Sequence, residues 1–476
     1  MEKFYITTAI DYVNAPPHLG HALEKVEADA IARYQRSLGK EVYFLTGTDE
    51  HGIKIVRSAE SSGKKVEDFV NENSKKFLEL VKILNISNDD FIRTSDQKKH
   101  WPGAQKLWKI LDEAGDIYKS KYKGYYCVGC EAYLTEKDLV DGKCSYHDKE
   151  PEIIEEDNYF FKISKYAGEI KKAIASDKLK IFPESRKNEV LAMIERGIED
   201  TSFSRPREKL NWGVPVPGDD SQIMYVWCDA LPNYISALGY GSDDDSKFKK
   251  FWPANMHIIG KDILRFHAIV WPAMLLSAKL SLPKNIFVHG FILSEGKRMS
   301  KTIGNVIDPF ELINEYSADA FRYYFLREMT PFDDGDITKE KFKEAYNANL
   351  ANGLGNLVSR IMKMSEQHIG HLMSNWTLNV QVMKGYKNLM DKFELSKTMD
   401  LIWQEISNLD MKIQETQPFK LIKTNENKAK EIIKELVIDL NKIAVMLQPF
   451  MPETSEKIIS AIKANKMPEP LFLRKE

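Results

Sequence analysis

The chain has 476 residues, 43% of them apolar and 29% charged, with a formal net charge of −2. That length is a prior for about three domains, and the balance is that of a soluble globular protein rather than a generally basic nucleic-acid coat. No apolar run approaches the ~20 residues a membrane helix needs, and the start Met1-Glu2-Lys3-Phe4-Tyr5 lacks the layout of a signal peptide, so a cytoplasmic protein with no membrane partner is expected.

In chain order, residues 4–10 predict a buried strand that leads into Pro16-Pro17-His18-Leu19-Gly20-His21. Leu23, Val26, Ala30, Tyr34 and Leu38 then recur on one helical face, with Gly39 as the stop. Glu41–Leu45 predicts the next strand. Strand, loop, helix, strand opens a doubly wound parallel sheet. The polar cluster Gly47-Thr48-Asp49-Glu50-His51-Gly52 follows, and ligands bind beyond the carboxyl ends of such strands. A helical stretch runs to about Gly115. Strands are expected again at Met224–Trp227 and Met256–Ile259, the second ending in Gly260-Lys261-Asp262 and a helix to about Lys279. Phe287–Leu293 predicts a last strand, which runs into Gly296-Lys297-Arg298-Met299-Ser300-Lys301-Thr302. From about 330 strand signals vanish, and Ile432, Ile433, Leu436, Val437, Leu440, Ile443 and Leu447 recur at helical spacing.

The expected fold is therefore α/β. A Rossmann-type doubly wound parallel sheet (1–118 and 156–330) is split by a zinc-knuckle insertion (119–155) and followed by an all-α helical bundle (331–476). The insertion carries Cys127-Val128-Gly129-Cys130 and, thirteen residues on, Cys144-Ser145-Tyr146-His147. Two tight pairs across a short loop supply three thiolates and one imidazole, a closed tetrahedron for one structural Zn2+. The competing reading, a disulfide plus an odd thiol, is disfavoured in a cytosolic setting. Cys228 lies in an apolar run and reads as a small buried residue.

The two motifs that follow strands, at His18–His21 and Gly296–Thr302, describe a site that binds ATP and transfers its adenylyl group. Attack on the α-phosphorus spreads charge over phosphate oxygens, and catalysis is mostly positioning and electrostatic stabilisation. His18 and His21 share one face of a first helical turn, where the positive end of the dipole also favours anions. Gly20 leaves the backbone open to adenine or ribose. Lys301, on a glycine-flanked loop, supplies a mobile point charge. Read without each other, two histidines at a helix start and a Lys-Arg pair are as readily a chance pairing and a solvated face.

His18-Leu19-Gly20-His21 resembles the "HIGH" signature of class I aminoacyl-tRNA synthetases, and Arg298-Met299-Ser300-Lys301-Thr302 resembles their "KMSKS" signature. Arg replaces the first Lys and Thr the last Ser, keeping charge and hydroxyl. Over about 4–470 the resemblance narrows to the methionyl family within that class. It is carried by Ala9–Asn14, Gly47–Gly52, Tyr225-Val226-Trp227-Cys228-Asp229-Ala230, Phe266–Pro272 and the knuckle. Leu231-Pro232 follows Ala230 where many relatives have Pro directly.

The resemblance implies a methionine–tRNA ligase. It would make methionyl-adenylate from L-methionine and ATP with Mg2+, and would pass the methionyl group to the 3′ end of initiator and elongator tRNA-Met. The catalytic residues it implies are His18, His21 and Lys301. ATP would meet these with Gly20, Gly260, Asp262 and Arg298. Methionine would meet Ile10, Tyr12, Asp49, Trp227, Ala230, Tyr234, Phe266, His267 and Trp271. Physically the set suits the ligand: aromatic walls favour a thioether, Tyr234 and His267 offer donors to sulfur, and Asp49 suits an ammonium. Homocysteine lacks only a methyl, which an apolar pocket discriminates by about 1–3 kcal/mol, so some homocysteine activation is expected. The chain shows no insertion long enough for the editing domain of the valine, isoleucine and leucine relatives. Asn356, Arg360 and Phe419 match the anticodon-reading positions; Phe419 stands where relatives usually have Trp. No added module follows the bundle before Glu476, so a monomer is expected. The competing readings are a cysteine-specific synthetase, which would place zinc in the amino-acid site, a small nucleotidyltransferase or amide ligase, and a tRNA-binding factor with a decayed core.

Overall fold

The computed structural model describes residues 1–134, 136–145, 148–299, 305–370 and 384–476. The chain divides into two compact units. One holds Met1–Pro17, Gly39–Lys82 and Ser87–Gly290; the other holds His18–Leu38, Ile83–Ile86 and Phe291–Glu476.

The first unit is built on a seven-stranded sheet. Its order is Lys180–Phe182, Asn285–His289, Met256–Gly260, Lys3–Thr8 and Glu41–Asp49, and the last of these also pairs with Asp11–Tyr12 and Asp90–Arg93. Every pairing is parallel. The chain first winds outward from Lys3–Thr8 through Glu41–Asp49, then returns to add Met256–Gly260 on the opposite edge. Lys3–Thr8 is thus the switch point of a doubly wound sheet, where open α/β sheets bind ligands. The strands are apolar because both faces are covered: Tyr5, Ile6, Phe44, Leu45, Ile258 and Ile259 are fully buried.

The insertion forms a second, antiparallel sheet ordered Thr201–Ser202, Glu152–Phe161, Ile117–Cys127, Ala132–Leu134. Two expectations change here. Met224–Trp227 is not a strand of the parallel sheet. Asp219–Met224 pairs antiparallel with Ser204–Pro206 and Pro215–Val216, and Val226–Ala230 is a helical turn. A short apolar run carries no period that separates strand from buried helix, and here the buried Asp229, held from two sides by histidines, falls on the helical turn. The strands Asp90–Arg93 and Lys180–Phe182, both short, are additions to the expected set. The helix after Gly260 does run to Ser277, with a wider π-helical turn at Phe266–Val270.

Phe287–Leu293 is likewise divided. Asn285–His289 belongs to the parallel sheet, whereas Ile292–Ser294 lies in the second unit and pairs with Lys297–Arg298 and Gly335–Asp336. The rest of the second unit is helical, as expected. Its long members are Leu395–Thr416, Glu426–Leu447 and Pro452–Ala464, beside a helical run from Tyr346 to His368. Ile433, Leu436, Val437, Leu440, Ile443 and Leu447 are all buried, which is the stripe the spacing requires. The Leu19–Ser37 helix groups with this unit. Its Asp29 pairs with Arg33 at 2.6 Å and with the wholly buried Arg322 at 2.7 Å, and Arg322 also donates to the carbonyls of Phe450 and Pro449.

Candidate functional site

In the first unit, the carboxyl ends of three neighbouring strands deliver Ile10, Asp49 and Gly260. Asp49 is 5% exposed. Its neighbours are the His51 amide and the Thr94 hydroxyl, each at 3.4 Å, and among the described residues it has no ion pair. Burial, and then the Asp229 carboxylate, push Asp49 well above the ordinary carboxylate range. Such a group binds a cation readily, because an ammonium restores what burial removed.

Asp229 is held differently. Its two carboxylate oxygens meet His51 Nδ1 at 2.5 Å and His100 Nε2 at 2.9 Å, and His100 Nδ1 meets the Ser236 hydroxyl at 2.9 Å. Burial works to raise Asp229, but the two histidines hold it below the usual range. The sequence singled out neither His51 nor His100 for a role. Their partner lies 178 and 129 positions away, and no local spacing reveals that.

The aromatic residues do converge. Trp227 and Phe266 stack at 3.8 Å and 5°, with both rings partly exposed, and Trp227 meets His267 edge-on at 6.2 Å. Ala230 is buried one turn along from Trp227. The Tyr234 hydroxyl lies 2.7 Å from His267 Nε2, and His267 Nδ1 lies 3.0 Å from the Ile263 carbonyl. A carbonyl only accepts, so Nδ1 carries the ring proton and Tyr234 donates to Nε2. The π-helical turn brings Phe266 and His267 to this wall together. Trp271 is wholly buried, against Tyr234 and Trp252. Tyr12 is partly exposed and donates to Glu131 at 2.7 Å. Gly260 closes its strand beside the 3-10 turn Lys261–Ile263, on which Asp262 is exposed.

The three cysteines of the insertion come together. The sulfurs of Cys127, Cys130 and Cys144 lie within 4.8 Å of one another, with Cys130 and Cys144 at 3.5 Å, and none is in a disulfide. The hydrogen bond with Cys127, then burial, push the Cys130 thiol far above its ordinary value. Converging sulfur donors that crowd one another in this way suit a soft or borderline cation. His147 lies outside the described residues. Cys228 is buried and is not one of the converging sulfurs.

The second unit carries the histidine motif. His18 caps the Leu19–Ser37 helix: its Nδ1 accepts from the Gly20 amide at 3.1 Å, and His21 Nδ1 accepts from the His18 amide at 3.1 Å. The pair forms a reciprocal capping box. Both Nδ1 atoms are acceptors, so both ring protons sit on Nε2. The rings stack at 3.6 Å. A Cβ at Gly20 would press on the His18 ring at 3.0 Å, which gives the glycine a second reason to be there. The Ile292–Arg298 hairpin leads into the lysine motif. Lys301 lies outside the described residues; of Arg298, the backbone pairs with Leu293.

Asn356 is exposed at the start of the Asn356–His368 helix, and Arg360, one turn on, pairs with Asp410. Phe419 is 46% exposed on the short Pro418–Leu421 helix, with the Lys420 ammonium over its ring.

A family model described as tRNA synthetases class I (M) matches residues 4–145 and 130–362, and one described as the anticodon binding domain of methionyl tRNA ligase matches 369–471. The methionine–tRNA ligase of Clostridium acetobutylicum is 44% identical over 471 residues, which span 96% of this chain and 73% of that protein. The methionine–tRNA ligase of Brucella melitensis is 40% identical over 478 residues, spanning 97% of this chain and 92% of that protein. Among solved structures, Mycobacterium tuberculosis methionyl-tRNA synthetase in complex with methionyl-adenylate is similar with a TM-score of 0.91 at 34% identity, covering 100% of both chains.

Proposed function

The chain belongs to the methionyl-tRNA synthetase family of class I aminoacyl-tRNA synthetases, and on that premise we propose how its residues divide the work of a methionine–tRNA ligase. The enzyme activates methionine with ATP to methionyl-adenylate, releasing pyrophosphate, and transfers the methionyl group to the 3′ end of tRNA-Met. The single observation that carries the substrate assignment is Asp49: a buried carboxylate raised by burial and lacking an ion pair among the described residues, in the unit that holds the Trp227–Phe266 stack. An α-ammonium suits the first and a thioether the second.

In this reading Asp49 binds the ammonium, and Ile10, Tyr12, Trp227, Ala230, Phe266 and His267 enclose the side chain, backed by Tyr234 and Trp271. Because the His267–Tyr234 pair is internally satisfied, its contribution to sulfur is a fixed polar wall rather than a free N–H donor. His18 and His21 present Nε2 protons to phosphate oxygens, with Gly20, Gly260, Asp262, Arg298 and Lys301 completing the ATP site. Mg2+ enters with ATP and screens its phosphates. Cys127, Cys130 and Cys144, with His147, hold one Zn2+, which when bound would tie the knuckle together as a structural ion. Asn356, Arg360 and Phe419 read the anticodon. The functional divisions are 1–118 and 156–330 for catalysis, 119–155 for metal and 331–476 for tRNA. Cysteines that are not joined in disulfides suit a reducing, cytoplasmic setting.

Charging of a tRNA-Met transcript with labelled methionine tests the whole reaction. Charging that needs the methionine anticodon supports the assignment, and a transcript charged equally well with an unrelated anticodon removes the proposed role of the helical unit.

A further inference from the structure

Glu131 follows the knuckle thiol Cys130 directly, and the sequence gives it no role. It is 4% exposed and sits in the left-handed region at φ +51°. A non-glycine residue stays there only when its surroundings fix it, and such residues cluster at functional sites. The surroundings are explicit. Oε1 accepts from the Tyr12 hydroxyl at 2.7 Å and from the Lys54 amide at 2.6 Å. Oε2 accepts from the Tyr126 hydroxyl, and the Glu131 carbonyl accepts from the Tyr225 hydroxyl. Lys54 lies in the first turn of the Ile53–Ser61 helix, whose N-cap is Gly52 at φ +110°. A Cβ at Gly52 would collide with the Tyr12 oxygen and come within 2.8 Å of Glu131 Oε1, so the cap leaves just the space this bond fills. Tyr225 stands two residues before Trp227.

A buried carboxylate is tolerated when its lone pairs are taken, and here each donor belongs to a different segment. One donor to the carboxylate is the pocket residue Tyr12, whereas Tyr225, which leads into the Trp227 turn, donates to the Glu131 backbone carbonyl. Turning the Tyr12 ring away would leave Glu131 Oε1 with the Lys54 amide alone. The ring is therefore held in one orientation by a group rooted in the knuckle.

We propose that Glu131 is a positioning residue for methionine, fixing the Tyr12 ring at the amino-acid pocket and joining that ring to the thiol knuckle. The inference rests on the reading of Tyr12 as a pocket residue. It states that methionine affinity depends on the knuckle through this hydrogen bond.

The test is a cycle of Glu131→Ala, Glu131→Gln, Tyr12→Phe and the Glu131→Ala/Tyr12→Phe double variant, all in the full chain. Methionine Kd is measured by calorimetry, KM for methionine and for ATP by pyrophosphate exchange, and bound zinc by elemental analysis. The expected result is a roughly tenfold weaker methionine Kd for E131A, the size of one buried charge-assisted hydrogen bond. KM for ATP and the zinc content hold. E131Q, which keeps an acceptor for Tyr12 and a partner for Tyr126, restores affinity. E131A adds nothing further in the Y12F background. If E131A does not fold, Glu131→Asp replaces it, since the shortened carboxylate withdraws from Tyr12 and carries the same expectation. If Y12F leaves methionine Kd unmoved, the pocket reading of Tyr12 fails. If Y12F weakens methionine but the Glu131 variants do not, or if their effects simply add, the pocket reading stands and the role of Glu131 is overturned.

Discussion

At the scale of single residues, Asp49 shows how stability and function oppose each other. Its carboxyl is raised by burial and by Asp229, so the protonated form is favoured in the unliganded fold. The sign follows: its contribution to stability is fully present below the unfolded carboxyl pKa and is lost as pH rises through the higher folded value. In the proposed reading methionine reverses this, because its ammonium needs the charged carboxylate. Asp49→Asn is therefore expected to raise the thermal midpoint of the unliganded protein at neutral pH. The same change weakens methionine on the order of a hundredfold, as loss of a buried charge partner does. Differential scanning calorimetry and titration calorimetry on one preparation check both halves. The sequence offered Asp49 as part of the polar cluster beyond the expected Glu41–Leu45 strand, where ligands bind, and the structure extends that strand to Asp49. His18 and His21 were legible by motif, but their tautomer was not. That is set by two backbone amides of the helix start, which the fold brings to 3.1 Å from the ring nitrogens.

At the scale of elements, the helical turn Val226–Ala230 decides how the pocket is made. Its sequence reads as a strand because Tyr225, Val226 and Trp227 favour extended backbone. The interior overrides that preference: on the helical turn Asp229 is anchored between His51 and His100. The anchor also brings Trp227 onto Phe266. Removing Asp229 would leave the buried His51 and His100 rings without their carboxylate hydrogen-bond partner, so Asp229→Ala is expected to cost about 1–3 kcal/mol for each orphaned ring. The measurement is urea unfolding followed by tryptophan fluorescence. The cost is largest near neutral pH. A carboxyl held below its usual range stabilises above the unfolded pKa and ceases to as pH falls through the folded one. The cysteine triad, by contrast, was fully legible, since two pairs at metal spacing need no knowledge of the fold between them. Its link to the pocket through Glu131 was not, because that link depends on a partly exposed tyrosine 119 positions away.

At the scale of the whole molecule, the chemistry and the tRNA reading are assigned to different parts of the chain. The two families of sequence pattern, strands that alternate with helices and then helices alone, are what suggest that division from periodicity. What periodicity could not give is the grouping of the histidine-bearing helix with the C-terminal unit through Asp29 and Arg322, a bond that spans most of the sequence. Phe419 is nearly half exposed; in the proposed reading it stacks on an unpaired base, and such stacking is worth about 1–3 kcal/mol. Phe419→Ala is expected to lower kcat/KM for tRNA by roughly tenfold to a hundredfold on that basis, while the tRNA-independent exchange rate holds. An equal loss in both would place Phe419 outside anticodon reading. The central claim, that this chain activates methionine, is tested most directly by ATP–pyrophosphate exchange with each amino acid in turn, without tRNA. The account requires exchange with methionine, a weak response to homocysteine, and none with the others. Exchange driven by cysteine or leucine, or no exchange with any amino acid, would contradict it.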